Sequence, residues 1–146
     1  MKIYIGSDHG GFLLKQEIMQ ALNHKKGIKV VDVGTHSTEM IDFPDVVPPV
    51  VDGVLKDQAT GILVCGSGIG MSIAANRYKG IRAALAHSAE YASFARYHND
   101  ANILCLGGRF VSTPLALSIV DTFLGTSLSE DPKYKRRMNV IDGWKR

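Results

Sequence analysis

The chain has little cysteine, two in 146 residues, and no apolar run near the ~18 residues that a membrane-spanning helix needs. Cys65 and Cys105 each lie in an apolar run ahead of glycine, with no Cys-x-x-Cys pair and no His/Cys spacing of a structural zinc site. Neither a disulfide nor a metal is therefore expected to hold the fold, and a reducing compartment is the simpler expectation. The opening Met1-Lys-Ile-Tyr-Ile-Gly6 enters a strand pattern at once and leaves no room for a signal peptide, so the expected location is the cytoplasm, with no membrane partner. A broad basic face is missing too. The net charge is +3, but the whole excess of Lys and Arg falls in residues 130–146. Nucleic acid is therefore not an expected partner, and the local cluster suits phosphate on a small ligand, or is only a solvated tail.

Nucleotide signatures are absent as well. Gly66, Gly68 and Gly70 follow one another at steps of two, and Met71 stands where a GxGxxG fingerprint would need its third glycine. Gly6, Gly10 and Gly11 fail the same test, and no Walker lysine follows either cluster. No cofactor is expected. What remains is a compact nest of backbone N–H groups, suited to a carboxylate, a phosphate or a developing enediolate oxygen.

What is present is a regular alternation of short apolar strands and amphipathic helices. Lys2–Asp8 reads as a strand, and from Phe12 the period changes, with Leu14, Ile18, Ala21 and Leu22 on one helical face and Lys15, Gln16, Glu17 and Gln20 outside it. Gly27 ends that helix, Ile28–Val33 is a second strand, and residues 34–45 read as a loop. Asp45 is the expected cap of the next helix, with Val47, Val50, Val51 and Val54 inside and Pro48 and Pro49 confined to its first turn. Strand Gly61–Cys65, helix Ser67–Tyr78, strand Ile81–Ala86, helix Ser88–Tyr97, strand Ile103–Leu106 and helix Pro114–Leu124 complete the pattern. Five alternations with continuously apolar strands predict the α/β class, a parallel sheet covered on both faces. Such sheets bind ligands beyond the C-terminal ends of their strands, where Asp8, Gly34, Cys65 and Gly107 fall.

Cys65 stands at a strand end facing the start of a helix, where unpaired N–H groups and the dipole favour a thiolate, although a free cysteine is also an ordinary core residue. Cys105, inside a strand and without the glycine nest, reads as structural. Asp8-His9 precedes Gly10-Gly11, which allow close ligand approach; the plain alternative is Asp8 capping helix 12–25 with His9 half exposed. His98 shares a helical face with Tyr91, Phe94 and Ala95, and Asn99, Asp100 and Asn102 crowd the turn after it, which suits either a site or turn chemistry. No pair among Asp8, His9, Cys65 and His98 has dedicated metal spacing, so no metal is expected. Arg109 follows Gly107-Gly108, and Lys133, Lys135, Arg136 and Arg137 lie in the tail, where arginine's planar fork suits a dianion. These residues point to a small phosphorylated ligand, a thiol and one or two histidines.

The segments Ser7-Asp-His-Gly-Gly11, Gly34-Thr35, Asp42-Phe-Pro-Asp45, Cys65-Gly-Ser-Gly-Ile-Gly70, Ala74-Ala-Asn76, Gly80-Ile-Arg82, His98-Asn-Asp-Ala-Asn102 and Gly107-Gly-Arg109 occur in this order along nearly the whole chain. On them the sequence resembles the ribose-5-phosphate isomerase B family, which also includes galactose-6-phosphate isomerase subunits. The resemblance implies a three-layer α/β/α sandwich with a five-stranded parallel, Rossmann-like sheet in order 2-1-3-5-4. It implies one isomerase domain over residues 1–146, with residues 128–146 a basic tail completing the site or an interface, and dimers or tetramers built without a metal. It makes Cys65 the base that moves a proton between C1 and C2, assisted by Ser67. The N–H groups near Gly66, Gly68 and Gly70, with Asn99, would stabilise the enediolate. His98 would open the furanose ring, Asp8 would hold sugar hydroxyls, and His9, Arg109, Lys133 and Arg137 would bind phosphate or substrate.

Two departures stand out. The family's usual arginine is replaced by Lys133, in a segment reading Lys133-Tyr-Lys-Arg-Arg137, which keeps charge but loses two-pronged geometry. Phe43 replaces a common tyrosine and deletes a hydroxyl. The implied substrate is ribose 5-phosphate, in exchange with ribulose 5-phosphate. Allose or galactose 6-phosphate, or a non-catalytic phosphosugar-binding subunit, are the alternatives. A basic tail with no sixth strand to anchor it is expected to be ordered by packing on a second copy, giving a homodimer.

Overall fold

The computed structural model describes residues 1–144. Its elements run β1 (Lys2–Ser7), α1 (Phe12–Asn23), β2 (Lys29–Asp32), α2 (Phe43–Asp57), β3 (Thr60–Cys65), α3 (Ile69–Ala75), β4 (Ala83–Leu85), α4 (Ala89–Asn99), β5 (Ile103–Gly107), α5 (Thr113–Gly125) and α6 (Pro132–Asp142). All pairings are parallel, in the order β2-β1-β3-β5-β4. This is the α/β sandwich the pattern predicts, with the strand order that the resemblance implied.

Alternation along the strands divides the core in two. Ile3, Ile5, Ile62, Val64, Leu104 and Leu106 point to one face and pack against apolar residues of α1, α4 and α5. Leu63, Cys65, Ile103 and Cys105 point to the other face, under the valines of α2 and Met71 and Ala75 of α3. Both faces are dry, which is why β3 and β5 read as continuous apolar runs. The edge strand β4 is closed on its outer side by a side chain. The Asn76 amide donates to the Ala83 carbonyl at 2.8 Å and accepts from the Ala83 N–H at 2.9 Å, as a neighbouring strand would.

Several local expectations are corrected. Lys15, expected outside the helical face, is fully buried, because its Nζ reaches Asp32 Oδ1 and the Thr35 carbonyl, each at 2.6 Å. The helix after the long loop starts at Phe43 rather than after Asp45, so Pro48 and Pro49 lie inside it. Five buried valines, Val46, Val47, Val50, Val51 and Val54, hold that helix on the sheet despite the lost N–H groups. Helix α3 spans seven residues, not the twelve expected. His98 and Asn99 belong to the last turn of α4 instead of the loop after it. The basic tail, read as an unanchored extension, contains a helix, α6, started by Asp131, whose carboxylate accepts the Lys133 N–H at 3.0 Å. The last two tail residues, Lys145 and Arg146, lie outside the described residues.

Candidate active site

At the C-terminal edge of the sheet three turns converge. Cys65 ends β3 with its Sγ buried and 3.0 Å from the Gly68 N–H, which donates to it. Gly68 has φ +77°, and a Cβ there would come within 2.9 Å of the Leu106 backbone, so glycine alone turns this corner against β5. The first N–H bonded within α3 is that of Ser72, to the Gly68 carbonyl, so the N–H groups of Gly70 and Met71 precede the helical ladder. Ser67 Oγ accepts the Ile69 N–H at 3.3 Å. A helix of seven residues carries a weak dipole, so what this turn offers the sulfur is a direct N–H contact.

The β1 turn comes close to that nest. Asp8 is buried, and its Oδ1 accepts the Gly11 N–H at 3.0 Å, closing the turn ahead of α1. A Cβ on Gly10 would lie 3.2 Å from the Gly66 nitrogen, so the two turns meet backbone to backbone. His9 Nδ1 lies 3.2 Å from the Ile41 carbonyl oxygen and 3.4 Å from the Ile41 nitrogen, anchoring the ring on the 34–42 loop and leaving Nε2 as its remaining polar atom. Lys15 holds the same loop from below.

The β5 turn closes the group. The Gly108 N–H donates to the Cys65 carbonyl at 2.8 Å and the Arg109 N–H to the Gly66 carbonyl at 3.1 Å. The Arg109 guanidinium lies over Gly66, 3.4 Å from where a Cβ would stand. Phe43 covers Gly70, its ring 2.8 Å from that residue's would-be Cβ. Asp8, His9, Cys65, Gly66, Ser67, Gly68, Gly70 and Arg109 thus form one cluster. Cys105 is set apart chemically, because burial, with the neighbouring Cys65 thiol adding, pushes its thiol far above the ordinary range.

His98, Asn99, Lys133 and Arg137 lie elsewhere. Cys65 is in register with Gly107 and Gly61 with Ile103, and the Asn102 carbonyl accepts the Gly61 N–H at 2.8 Å. The end of α4 therefore sits at the opposite edge of the sheet from Cys65. Four residues of strand at about 3.3 Å each put roughly 13 Å or more between the two edges. At that far edge the four residues meet through α4 and α6: the His98 ring stacks on Tyr134, with centroids 4.5 Å apart, and the Arg137 guanidinium lies 5.8 Å from the Tyr134 centroid. Lys133 pairs with Asp131 at 2.8 Å. The lysine holds the Asp131 carboxyl below its usual range, and Asp131 raises Lys133.

Arg82 fastens this second cluster, which the sequence reading did not anticipate. Its Nε donates to the Asn99 and Asp100 carbonyls at 3.1 Å, its Nη2 to Asp100 at 3.1 Å and its Nη1 to Asp142 of α6 at 2.8 Å. Asp100 and Asn102, noted as site or turn residues, are turn residues: Asp100 takes φ +45° at the end of α4, and Asn102 binds the Arg82 N–H and the Gly80 carbonyl. Gly80-Ile-Arg82 was visible as a motif, but nothing in its spacing revealed its partners. A cleft of about 540 Å³ opens at this edge, lined by Tyr78, Arg82, Asn99, Met138, Asp142 and Trp144, and contains none of the glycine nest.

Comparison with known proteins identifies the family. Residues 3–141 match the ribose/galactose isomerase family. The chain is 42% identical over 141 residues to ribose-5-phosphate isomerase B of Escherichia coli, covering 96% of this chain and 93% of that one. It is 47% identical to a putative sugar phosphate isomerase of Rickettsia bellii, with 96% of each chain covered. The crystal structure of a ribose 5-phosphate isomerase from Thermotoga maritima superposes with a TM-score of 0.93 at 50% identity over 98% of both chains. With its sheet order, its ordered motifs and these matches over nearly full length, the chain belongs to the ribose/galactose isomerase family and is an aldose–ketose isomerase.

Proposed function

We propose that the chain interconverts ribose 5-phosphate and ribulose 5-phosphate through an enediolate, in a site that two copies of the chain complete. The observation that carries this reading is the separation of two complementary clusters: a thiol in an N–H nest at one edge of the sheet, and a histidine among cations at the other. In this reading each cluster supplies a different part: the nest gives the thiol and the N–H donors for the enediolate, and the far cluster gives His98 and two further cations for the phosphate. A two-fold pairing brings the Cys65 edge of one copy to the His98 edge of its partner, and does so twice.

In this reading His98 gives a proton to the ring oxygen while the anomeric hydroxyl loses one, releasing the open aldehyde. The Cys65 thiolate takes the proton from C2 and returns it to C1, while a proton passes from O2 to O1. Charge on the enediolate falls on N–H groups of the Gly66–Gly70 turn, with Asn99 of the partner adding a donor. Ser67 assists the thiol, Asp8 holds sugar hydroxyls, and His9 and Arg109 of one copy with Lys133 and Arg137 of the other bind the phosphate. The preference for a five-carbon sugar is tested by turnover of ribose 5-phosphate against allose 6-phosphate on one purified sample. Faster turnover of the six-carbon sugar would replace the substrate while leaving the chemistry.

His98→Gln is expected to slow ribose 5-phosphate far more than erythrose 4-phosphate, whose phosphorylated O4 cannot close a furanose. Stopped-flow rates on the two sugars measure this, and equal slowing would remove His98 from ring opening. Arg137→Ala is expected to weaken ribose 5-phosphate binding by about 1.5–3 kcal/mol, the worth of hydrogen bonds to a charged group, with the sheet intact. Lys133→Arg should tighten binding or leave it unchanged, since the guanidinium restores a two-pronged donor. Calorimetric titration reads both, and an unaltered affinity in Arg137→Ala would take the tail out of the phosphate site.

A further inference from the structure

His98 is held in an unusual way. Its imidazole lies between two aromatic rings, Phe94 on one face at 4.9 Å and 10° and Tyr134 on the other at 4.5 Å and 17°. Among the described residues no hydrogen bond fixes either ring nitrogen, so the ring is held by its aromatic neighbours, the two stacked rings and Tyr97, which is tilted by 55° at 5.4 Å. Both nitrogens lie in that plane and therefore at the rim of the stack, in a residue that is half-buried. Phe94 sits one turn before His98 on α4 and comes with the helix. Tyr134 comes from α6, and its ring also meets two cations, the Lys133 Nζ at 4.8 Å and the Arg137 guanidinium at 5.8 Å from its centroid.

We propose that Tyr134 is a positioning residue for His98: by closing the second face of the imidazole it fixes the ring plane in which His98 exchanges protons with the sugar. Stacked rings at these separations contribute about 0.5–1.5 kcal/mol beyond their buried area, enough to favour one side-chain rotamer several-fold. Without Tyr134 one face of His98 is open, and the side chain samples rotamers in which its nitrogens miss the ring oxygen. The docking of α6 does not depend on Tyr134 alone, since Met138 is buried beneath the helix and Asp142 is tied to Arg82. The proposal rests on the reading of His98 as an acid and base toward the sugar, but its test is separable from the step assigned there.

The test is a double-mutant cycle of Tyr134→Leu with His98→Gln, with Tyr134→Phe as the conservative control, run on ribose 5-phosphate or on whichever aldose phosphate is turned over. Tyr134→Leu keeps an apolar contact for α6 but removes the aromatic face. It is expected to lower kcat about tenfold in the parent and less than about twofold when His98 is already Gln, while Tyr134→Phe stays within about twofold of the parent. No loss in Tyr134→Leu, the same fold loss with and without His98, or an equal loss in Tyr134→Phe would each overturn the proposal. Ring opening itself is judged by the separate comparison of ribose 5-phosphate with erythrose 4-phosphate in His98→Gln. If that comparison fails, the cycle still decides whether Tyr134 acts through His98.

Discussion

Cys65→Ala is expected to lower turnover of ribose 5-phosphate by ~100-fold or more, with the sugar still bound and the fold kept, because a general base contributes on that scale. The expectation follows from a thiol that is buried at a strand end and held by one N–H in a turn of glycines, at the point where the β1, β3 and β5 turns converge. Removing the sulfur leaves the Gly68 N–H without its acceptor, a cost of about 1–3 kcal/mol that circular dichroism and thermal melting will register. Calorimetric titration of ribose 5-phosphate into the variant separates binding from chemistry. Turnover equal to the parent's would refute the assignment of the base. Cys105→Ala is the control: its thiol is buried and pushed far from ionising, so it should change stability and leave turnover near that of the parent.

Mixing two inactive variants should restore activity. In a dimer of Cys65→Ala with His98→Gln, one of the two shared sites carries both defects and the other carries neither. Random exchange of subunits makes half the dimers mixed, so about a quarter of parent activity is expected from two preparations that are each nearly dead. Each variant is purified alone, the two are combined, subunits are exchanged under mild denaturant, and turnover is followed with sedimentation of each sample. A mixture no more active than its components, though sedimentation shows mixed dimers, would put Cys65 and His98 to work within one chain. The strand register that separates their edges makes that outcome hard to build.

How much of this could be read from the sequence depends on the range of the interaction concerned. Alternating strands and helices were legible because each strand is buried on both faces, so its apolar run needs no knowledge of its neighbours. The glycine turn after Cys65 was legible for a similar reason, since a corner forced on the backbone shows in residue type. The order of the strands came from the resemblance and not from the pattern. Lys15 was misjudged because a helical face is assigned by hydropathy, and only the fold brings Asp32 and the Thr35 carbonyl to its ammonium group. Removing a partner from such a buried pair is costly, by about 3–5 kcal/mol, so the pair is part of the fold's framework. The two prolines of α2 were placed in a first turn by a local rule that five buried valines override. Tyr134 and Arg82 act across α4 and α6, elements more than 30 residues apart in the chain, which no spacing rule reaches.

The amide of Asn76 bears on how copies of this chain can meet. An open strand edge invites another strand, and aggregation proceeds by that route in many sheet proteins. Here the N–H and C=O of Ala83 already have a counterfeit neighbour in one side chain, and the strand behind it is three residues long. The start of the β4 edge is thereby closed to a further strand without charge or proline. On this side of the sheet contact between copies is left to helices and loops, which favours a closed pair over a sheet that runs on into a fibre.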